Sequence, residues 1–398
     1  MNKKIYFDTT FLHYGEDLRG IPQVIFQLIH LILQKSEFDE ISFIATSKVR
    51  QRFLVPLGID EKRIELVAPV PFVPDDILFH GFLCTYRYRR ILKKARMVFH
   101  PEYRTVLKTA IPQLVLYYDF IFLHDYSPQN RSVFLLRFFK YMYVLYLKHK
   151  LRRSTKAIHK IAISEHTRQD FVSLFPNVPA AEISVLHIGI RSLPQSGLLP
   201  EKNVSFPVQF LCVGGVDDYR KNYNAMINHM EEIVGQNAFH LHLVGKCNQE
   251  YFLSLSTLIS KKNLVDCITF HGILSDEQLS LLYEKSHFFL FPSLFEGFGL
   301  PILEAMSRRC VVCAFNNSSI PEIGGNAIIC AENNDFRFWG QSLDSLIKDA
   351  SAYVRLSAAG VQQAARFSEE HMFERYGNYL RTLVSNIKSD EGECGSLS

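Results

Sequence analysis

Short apolar runs alternate with longer amphipathic stretches along most of the chain. In the first half the apolar runs are KIYFD (4–8), ISFIAT (41–46), MVFH (97–100), QLVLYY (113–118), KIAIS (160–164) and ISVLH (183–187). In the second half they are VQFLCVG (208–214), FHLHLVG (239–245), CITFHG (267–272), HFFLFPS (287–293), VVCAF (311–315) and AIIC (327–330). They are apolar throughout rather than alternating, the pattern of parallel strands covered on both faces. Between some of them lie helical patterns such as QVIFQLIHLILQK (23–35), with apolar residues three and four apart. Repeated strand–helix units predict doubly wound α/β sheets. The stretch IRSLPQSGLLPEKNVSFP (190–207), rich in Pro, Ser and Gly, breaks the pattern. The expectation is two Rossmann-like domains, 1–195 and 196–385, facing a central cleft. The last helix is free to cross back to the first domain, and 386–398 is expected to be a flexible tail. Ligands of such sheets bind at the carboxyl ends of the strands.

The chain has 398 residues, enough for two cores, and no run of 18 apolar residues that would span a membrane. Its start, MNKKIYFDTTF, lacks the apolar stretch of a secretory leader, so a cytoplasmic location is expected. Most of the eight cysteines lie in apolar runs and read as reduced core residues. The C-x-x-C of Cys310 and Cys313 falls in a strand-like run rather than at a helix start, where a redox pair has its lowered pKa. No second pair stands at zinc spacing. The dinucleotide, Walker, H-E-x-x-H and G-x-S-x-G motifs are absent, which argues against a dehydrogenase, a P-loop enzyme, a zinc protease and an α/β-hydrolase.

Charge is unevenly spread. Residues 1–195 carry 28 Lys and Arg against 17 Asp and Glu, a balance of +11; residues 196–398 carry 16 against 23, a balance of −7. Such asymmetry points to an anionic partner on one side. Two segments concentrate it: YRYRRILKKAR (86–96) and residues 131–160, where nine Lys and Arg stand among aromatics with no acid. One reading is attachment to an anionic membrane surface at the inner face of the plasma membrane. The other is a partly buried helix with a solvated basic end. No recognition motif accompanies the charge, so nucleic acid is not an expected partner.

The segment richest in chemistry is FFLFPSLFEGFGLPILEAM (288–306). An apolar strand ends at Pro292-Ser293, a loop with two glycines follows, and Pro301 stands where a helix would start. Helix-start N–H groups beside glycines make a place for an anion. Glu296 on the loop and Glu304 in the helix could hydrogen-bond two hydroxyl-rich parts of one ligand. Taken alone, a Glu-x7-Glu spacing is a common accident, and Phe298 and Leu300 could simply be core.

The segment resembles the Glu-x7-Glu signature of the retaining nucleotide-sugar glycosyltransferases of family 4, within the group 1 glycosyltransferases, which have the GT-B fold. Supporting segments follow in that family's order: CVGGVDDYRKN (212–222), LHLVGK (241–246), ITFHGILSDEQLSLLYEKS (268–286) and SSIPEIGGNAIIC (318–330). RGIPQV (19–24), LVLYYDFIFLHDYSP (114–128) and IAISEHTRQDF (161–171) are similar more loosely. The resemblance implies transfer of a hexosyl group from a nucleoside diphosphate sugar to an acceptor hydroxyl, with retention and without a metal or other cofactor. GDP-mannose is the favoured donor, and the acceptor would be a sugar or lipid-linked glycan of a bacterial surface polysaccharide. It places Glu296 on the donor hexose and the backbone of Gly297, Phe298, Gly299 and Leu300 along the sugar and diphosphate. Glu304 would bind the ribose, Lys221 with Arg220 the diphosphate, and Gly20 would close over the donor from the other domain.

Two positions depart from the family. Gly215 stands where an Arg is frequent, six residues before the phosphate Lys, and Tyr118-Asp119 stands where His-Asp follows the fourth strand. In the family that His contacts the sugar near the reacting carbon, so of the two positions Asp119 is the catalytic candidate; a helix N-cap is its other reading. Asp75-Asp76 and Asp217-Asp218 read as surface turns, leaving no Asp-x-Asp for a divalent ion. A GT-B epimerase of UDP-sugars and a non-catalytic sugar-nucleotide binder are the alternatives. The first needs acid–base residues that the sequence does not display. The second would be expected to have lost Glu296 or Lys221.

Overall fold

A computed structural model of the chain describes residues 4–13, 20–68, 88–103, 107, 109–120, 158–191 and 201–394. The chain forms two compact units. Among the described residues, one holds those up to Ile188 together with the helix that starts at Glu369, and the other holds those within Gly189–Ser368. The boundary thus falls a few residues before the expected 195/196. The last helix belongs to the first unit by its contacts: Tyr376 Oη donates to Leu186 O at 2.9 Å, and Arg381 pairs with Glu37 at 2.8 Å. That helix, Glu369–Cys394, runs on where a flexible tail is expected from 386. Its sequence there holds no proline to stop it.

Among the described residues the first unit is a seven-stranded parallel sheet in the order β3-β2-β1-β4-β5-β6-β7. Its strands are β1 (Lys4–Asp8), β2 (Ile41–Ala45), β3 (Ile64–Leu66), β4 (Ala95–His100), β5 (Gln113–Tyr117), β6 (Ile158–Ala162) and β7 (Ile183–Val185). The short edge strand β3 is not among the expected runs, because Ile64-Glu65-Leu66 is too brief and too polar to read as one. Among the described residues its presence makes the strand before Tyr118-Asp119 the fifth rather than the fourth. The helix Ile21–Gln34 follows β1 and buries Val24, Ile25, Leu28, Ile29, Leu31 and Ile32, the 3.6-residue stripe of the sequence.

The second unit is a six-stranded parallel sheet in the order β10-β9-β8-β11-β12-β13. Its strands are β8 (Val208–Val213), β9 (Phe239–Val244), β10 (Ile268–Gly272), β11 (Phe288–Phe291), β12 (Val311–Phe315) and β13 (Ile329–Ala331). On one face Trp339 stacks on Phe315, Phe336 meets both rings edge-on, and Trp339 Nε1 donates to Ala314 O at 3.3 Å. Cys212, Cys310 and Cys313 are buried thiols. Burial raises the pKa of each, and Cys310 donates its proton to Tyr283 O at 2.9 Å. The C-x-x-C is core, as its place in a strand run implies.

In both sheets the strand order reverses next to the first strand: between β1 and β4, and between β8 and β11. These reversals are the topological switch points where loops diverge and leave room for a ligand. For the second unit the consequence is direct. The loop after β8 and the loop after β11 leave neighbouring strand ends, so residues far apart in sequence become neighbours.

Candidate active site

The loop after β8 begins with Gly214, passes a short 3-10 turn at Tyr219–Lys221 and enters a helix at Tyr223. Gly214 is needed by its neighbour: a Cβ there would lie 2.9 Å from Cε of Lys221, so glycine lets that side chain run across the loop. Asn222, in the left-handed conformation with φ of 57°, ends the turn. The loop after β11 carries Pro292 to Gly299. Gly299, with φ of 100°, precedes the helix Leu300–Ser307, and Pro301 occupies its first turn. The two loops are joined by backbone: Leu294 N donates to Arg220 O at 2.8 Å.

This junction brings together the expected donor-binding residues of the second unit. Lys221 Nζ donates to Glu296 Oε1 at 2.6 Å, and both residues are only 8% exposed. The ammonium also lies 4.7 Å from the centroid of the Phe291 ring. Ser293 Oγ donates to the same Glu296 oxygen at 2.5 Å. Arg220 is differently employed. Its guanidinium forks onto Asp218, at 3.1 Å to Oδ1 and 2.5 Å to Oδ2, and donates to Phe295 O at 3.2 Å. The fork neutralises much of its charge and braces the β11 loop, so Lys221 is the cation set beside Glu296. Asp218 therefore corrects the surface-turn reading: it holds Arg220 and accepts the Arg220 N–H that starts the 3-10 turn. Asp217 accepts from Asn248 N and Nδ2 and ties down the next loop.

Gly297, Phe298, Gly299 and Leu300 follow Glu296 directly. Phe298 is buried and makes an edge contact with Phe367, so its side chain is core while its backbone lines the loop. Glu304 sits one turn into the helix and accepts from Tyr283 Oη at 3.1 Å. Burial, and then the Glu304 carboxylate, hold the Tyr283 phenol well above its ordinary pKa, so it remains a donor to Glu304. Tyr283 is a residue that the sequence reading did not single out. So are Ser293, Asn317, Ser318 and Ser319, which surround Glu296.

Gly20 and Asp119 lie in the first unit. Gly20 has φ of 67° and stands immediately before the helix Ile21–Gln34; residues 14–19 lie outside the described residues. Asp119 follows β5 at its carboxyl end. Tyr118, in the place of the family's His, is buried. Burial holds its phenol far above the ordinary value, which denies it the proton exchange that an imidazole would perform near neutral pH. The first unit also holds an unforeseen buried cluster at its own switch point. Asp8 accepts from Thr10 N at 2.9 Å, Thr10 Oγ1 at 2.7 Å and Tyr88 Oη at 3.0 Å, and pairs with His100 Nδ1 at 3.2 Å. Most of the basic segment 131–160 lies outside the described residues, as do Asp75, Asp76 and part of 86–96. Among the described residues, no helix is long and apolar enough to cross a membrane.

Residues 201–363 match the family model of the glycosyl transferases group 1. The match lies within the stretch Gly189–Ser368 of the second unit. Over 253 residues the chain is 28% identical to the O-antigen chain mannosyltransferase B of Escherichia coli, an alignment that covers 59% of this chain and 66% of that protein. The chain spans less than two thirds of the length of the curated relatives it matches. Sucrose-phosphate synthase from Thermosynechococcus elongatus superposes with a TM-score of 0.72 at 16% identity, covering 97% of this chain and all of that one. Anabaena HepE, solved in complex with UDP and glucose, gives 0.67 at 15% identity, covering 96% of this chain and all of that one. These likenesses show the fold: two Rossmann-like α/β units of the GT-B type.

Proposed function

We propose that this protein is a retaining family 4 glycosyltransferase. It moves a mannosyl group from a nucleoside diphosphate mannose, GDP-mannose in the favoured case, to a hydroxyl of a sugar or lipid-linked glycan during bacterial surface polysaccharide synthesis. The observation that carries this reading is the Lys221–Glu296 pair, set at a switch point beside a glycine loop that opens a helix. A cation for a diphosphate and a carboxylate for sugar hydroxyls stand within one hydrogen bond of each other. The name of the Escherichia coli relative supports the choice of mannose.

In this reading the bond between the anomeric carbon and the β-phosphate oxygen breaks, and the leaving diphosphate keeps the electron pair. Lys221 stabilises the charge that develops there, with the start of the helix Leu300–Ser307 behind it. Glu296 holds the hexose hydroxyls, Glu304 the ribose, and the backbone from Gly297 to Leu300 lies along the donor. The acceptor oxygen attacks on the face from which the diphosphate departs and passes its proton to a phosphate oxygen. No protein nucleophile is required, unlike the paired carboxylates of retaining glycoside hydrolases. Asp119 and Gly20 would contribute from the first unit, and no metal ion takes part. The basic segments of the first unit would hold the enzyme peripherally on an anionic membrane where its lipid-linked acceptor resides.

The test is a panel of nucleotide sugars incubated with the full chain, with and without a glycolipid acceptor. Nucleoside diphosphate release and the anomeric configuration of the product are measured. Acceptor-dependent release from GDP-mannose with an α-linked product is expected. Interconversion of the free donor, or binding without turnover, would replace this reading with an epimerase or a non-catalytic binder.

A further inference from the structure

The loop after β12 lies beside the loop after β11 because the two strands pair in parallel from Phe288↔Val311 to Phe291↔Ala314. That placement sets Asn317, Ser318 and Ser319 against Glu296. Glu296 N donates to Ser318 Oγ at 2.9 Å, and Ser318 Oγ donates to Asn317 Oδ1 at 2.9 Å. Asn317 Nδ2 donates to Ser293 O at 3.1 Å, and Ser293 Oγ donates to Glu296 Oε1 at 2.5 Å. The donors and acceptors run in one direction around a closed ring. Ser319, fully buried, donates its single proton to Glu296 O and Phe298 O, each at 3.0 Å. Ser318 holds φ of 48°, a left-handed conformation that a serine adopts only when its surroundings enforce it.

Every polar group of Glu296 except Oε2 is thus committed: the N–H to Ser318, the carbonyl to Ser319, and Oε1 to Ser293 and Lys221. Among the described residues Oε2 accepts no hydrogen bond. We infer that Ser293, Ser318 and Ser319, with Asn317, are positioning residues that fix the Glu296 main chain and one carboxylate oxygen so that the other points to a hydroxyl of the donor sugar. The inference rests on the proposed transfer reading for what Oε2 meets, while the ring itself does not depend on it. Positioning of this kind matters because a reacting group displaced by about 1 Å can lose about 100-fold in rate.

The test uses the full chain with Ser318→Gly, which removes the hydroxyl at a backbone angle glycine accepts, and Ser293→Ala. Three measurements are made: kcat with GDP-mannose and acceptor, Kd for GDP alone, and hydrogen exchange of the 293–300 amides. A 10- to 100-fold loss of kcat with Kd for GDP unchanged within twofold, and faster exchange confined to that loop, is expected. Equal losses in kcat and GDP affinity would mark a merely structural role and overturn the inference, as would wild-type kcat in both variants. Should the wild-type chain transfer nothing, the transfer reading falls. The ring is then judged by exchange: loop amides that stay as protected in Ser318→Gly as in wild type overturn it, and selective loss of protection upholds it.

Discussion

Removing Glu296 or Lys221 alone probes different physics from removing both. The pair is 2.6 Å apart with side chains 10% and 11% exposed, so each charge has left most of its water behind and depends on the other. Taking away one partner of such a pair costs about 3–5 kcal/mol, because the survivor is buried without compensation. Lys221→Met leaves the Glu296 carboxylate with only Ser293 as a side-chain donor; Glu296→Ala leaves the Lys221 ammonium against the Phe291 face. The double variant strands neither charge and should cost about 0–2 kcal/mol, well below the sum of the singles. Urea unfolding of the four proteins measures this cycle. The same geometry predicts an inversion in binding. In the free protein a diphosphate must compete with Glu296 for Lys221, so Glu296→Ala should bind GDP at least as tightly as wild type. GDP should also raise its melting temperature more, even as transfer is lost. Lys221→Met should lose GDP affinity and turnover together, by roughly 2–4 kcal/mol in transition-state terms, the scale of one electrostatic stabiliser. Stability losses that simply add across the cycle would refute the argument, and so would weaker GDP binding in Glu296→Ala.

Three further outcomes are expected. Transfer should persist in excess EDTA; a complete loss that magnesium alone restores would defeat the metal-free mechanism. Acid should weaken the second unit through His287, whose Nδ1 accepts from Gln209 N at 3.0 Å and which burial, aided by Lys202, holds at about 4 rather than 6.5. A lowered folded-state value means that the unfolded chain binds the proton first, so stability falls as pH drops from about 6.5 to about 4, by at most roughly 3 kcal/mol from this group. His287→Gln should flatten that slope between pH 6 and 5 in urea titrations. The wild-type chain should bind vesicles containing anionic lipid at low salt and leave them at high salt, with Lys148, Lys150, Arg152 and Arg153 changed to Gln weakening the attachment. Indifference to such vesicles at low ionic strength would reassign the basic segments to the core or the acceptor site.

The strands of both sheets were legible because buried parallel strands are apolar along their whole length, a signal that needs no partner to be read. The edge strand Ile64–Leu66 escaped because three residues with a central Glu carry no such signal. Glu296, Lys221 and Glu304 were legible through spacing and through likeness to a family. What they touch was not. Lys221 and Glu296 meet across 75 positions only because β8 and β11 are adjacent, and strand order is invisible in a linear pattern. Asp218 looked like half of a surface turn because its partner, Arg220, had been assigned to the diphosphate. Ser318 and Ser319 were legible only as the start of the segment SSIPEIGGNAIIC, and nothing local reveals that their oxygens face another loop.

The two switch points hold their buried carboxylates in different ways. Asp8 and Glu296 both sit at the carboxyl end of their sheets, next to the reversal of strand order. Asp8 is 1% exposed, and both its oxygens are taken: Oδ1 by Thr10 and Tyr88, Oδ2 by Tyr88 and His100. Saturated on every side, it closes the first unit and fixes the turn at Thr10–His13. Glu296 is held as firmly through its backbone and Oε1, yet among the described residues Oε2 has no partner. That remaining oxygen is not sealed from solvent, so a ligand hydroxyl can reach it. On the proposed transfer reading, the same fold position serves as a structural knot in one unit and as a place for substrate in the other. The difference lies in a single oxygen.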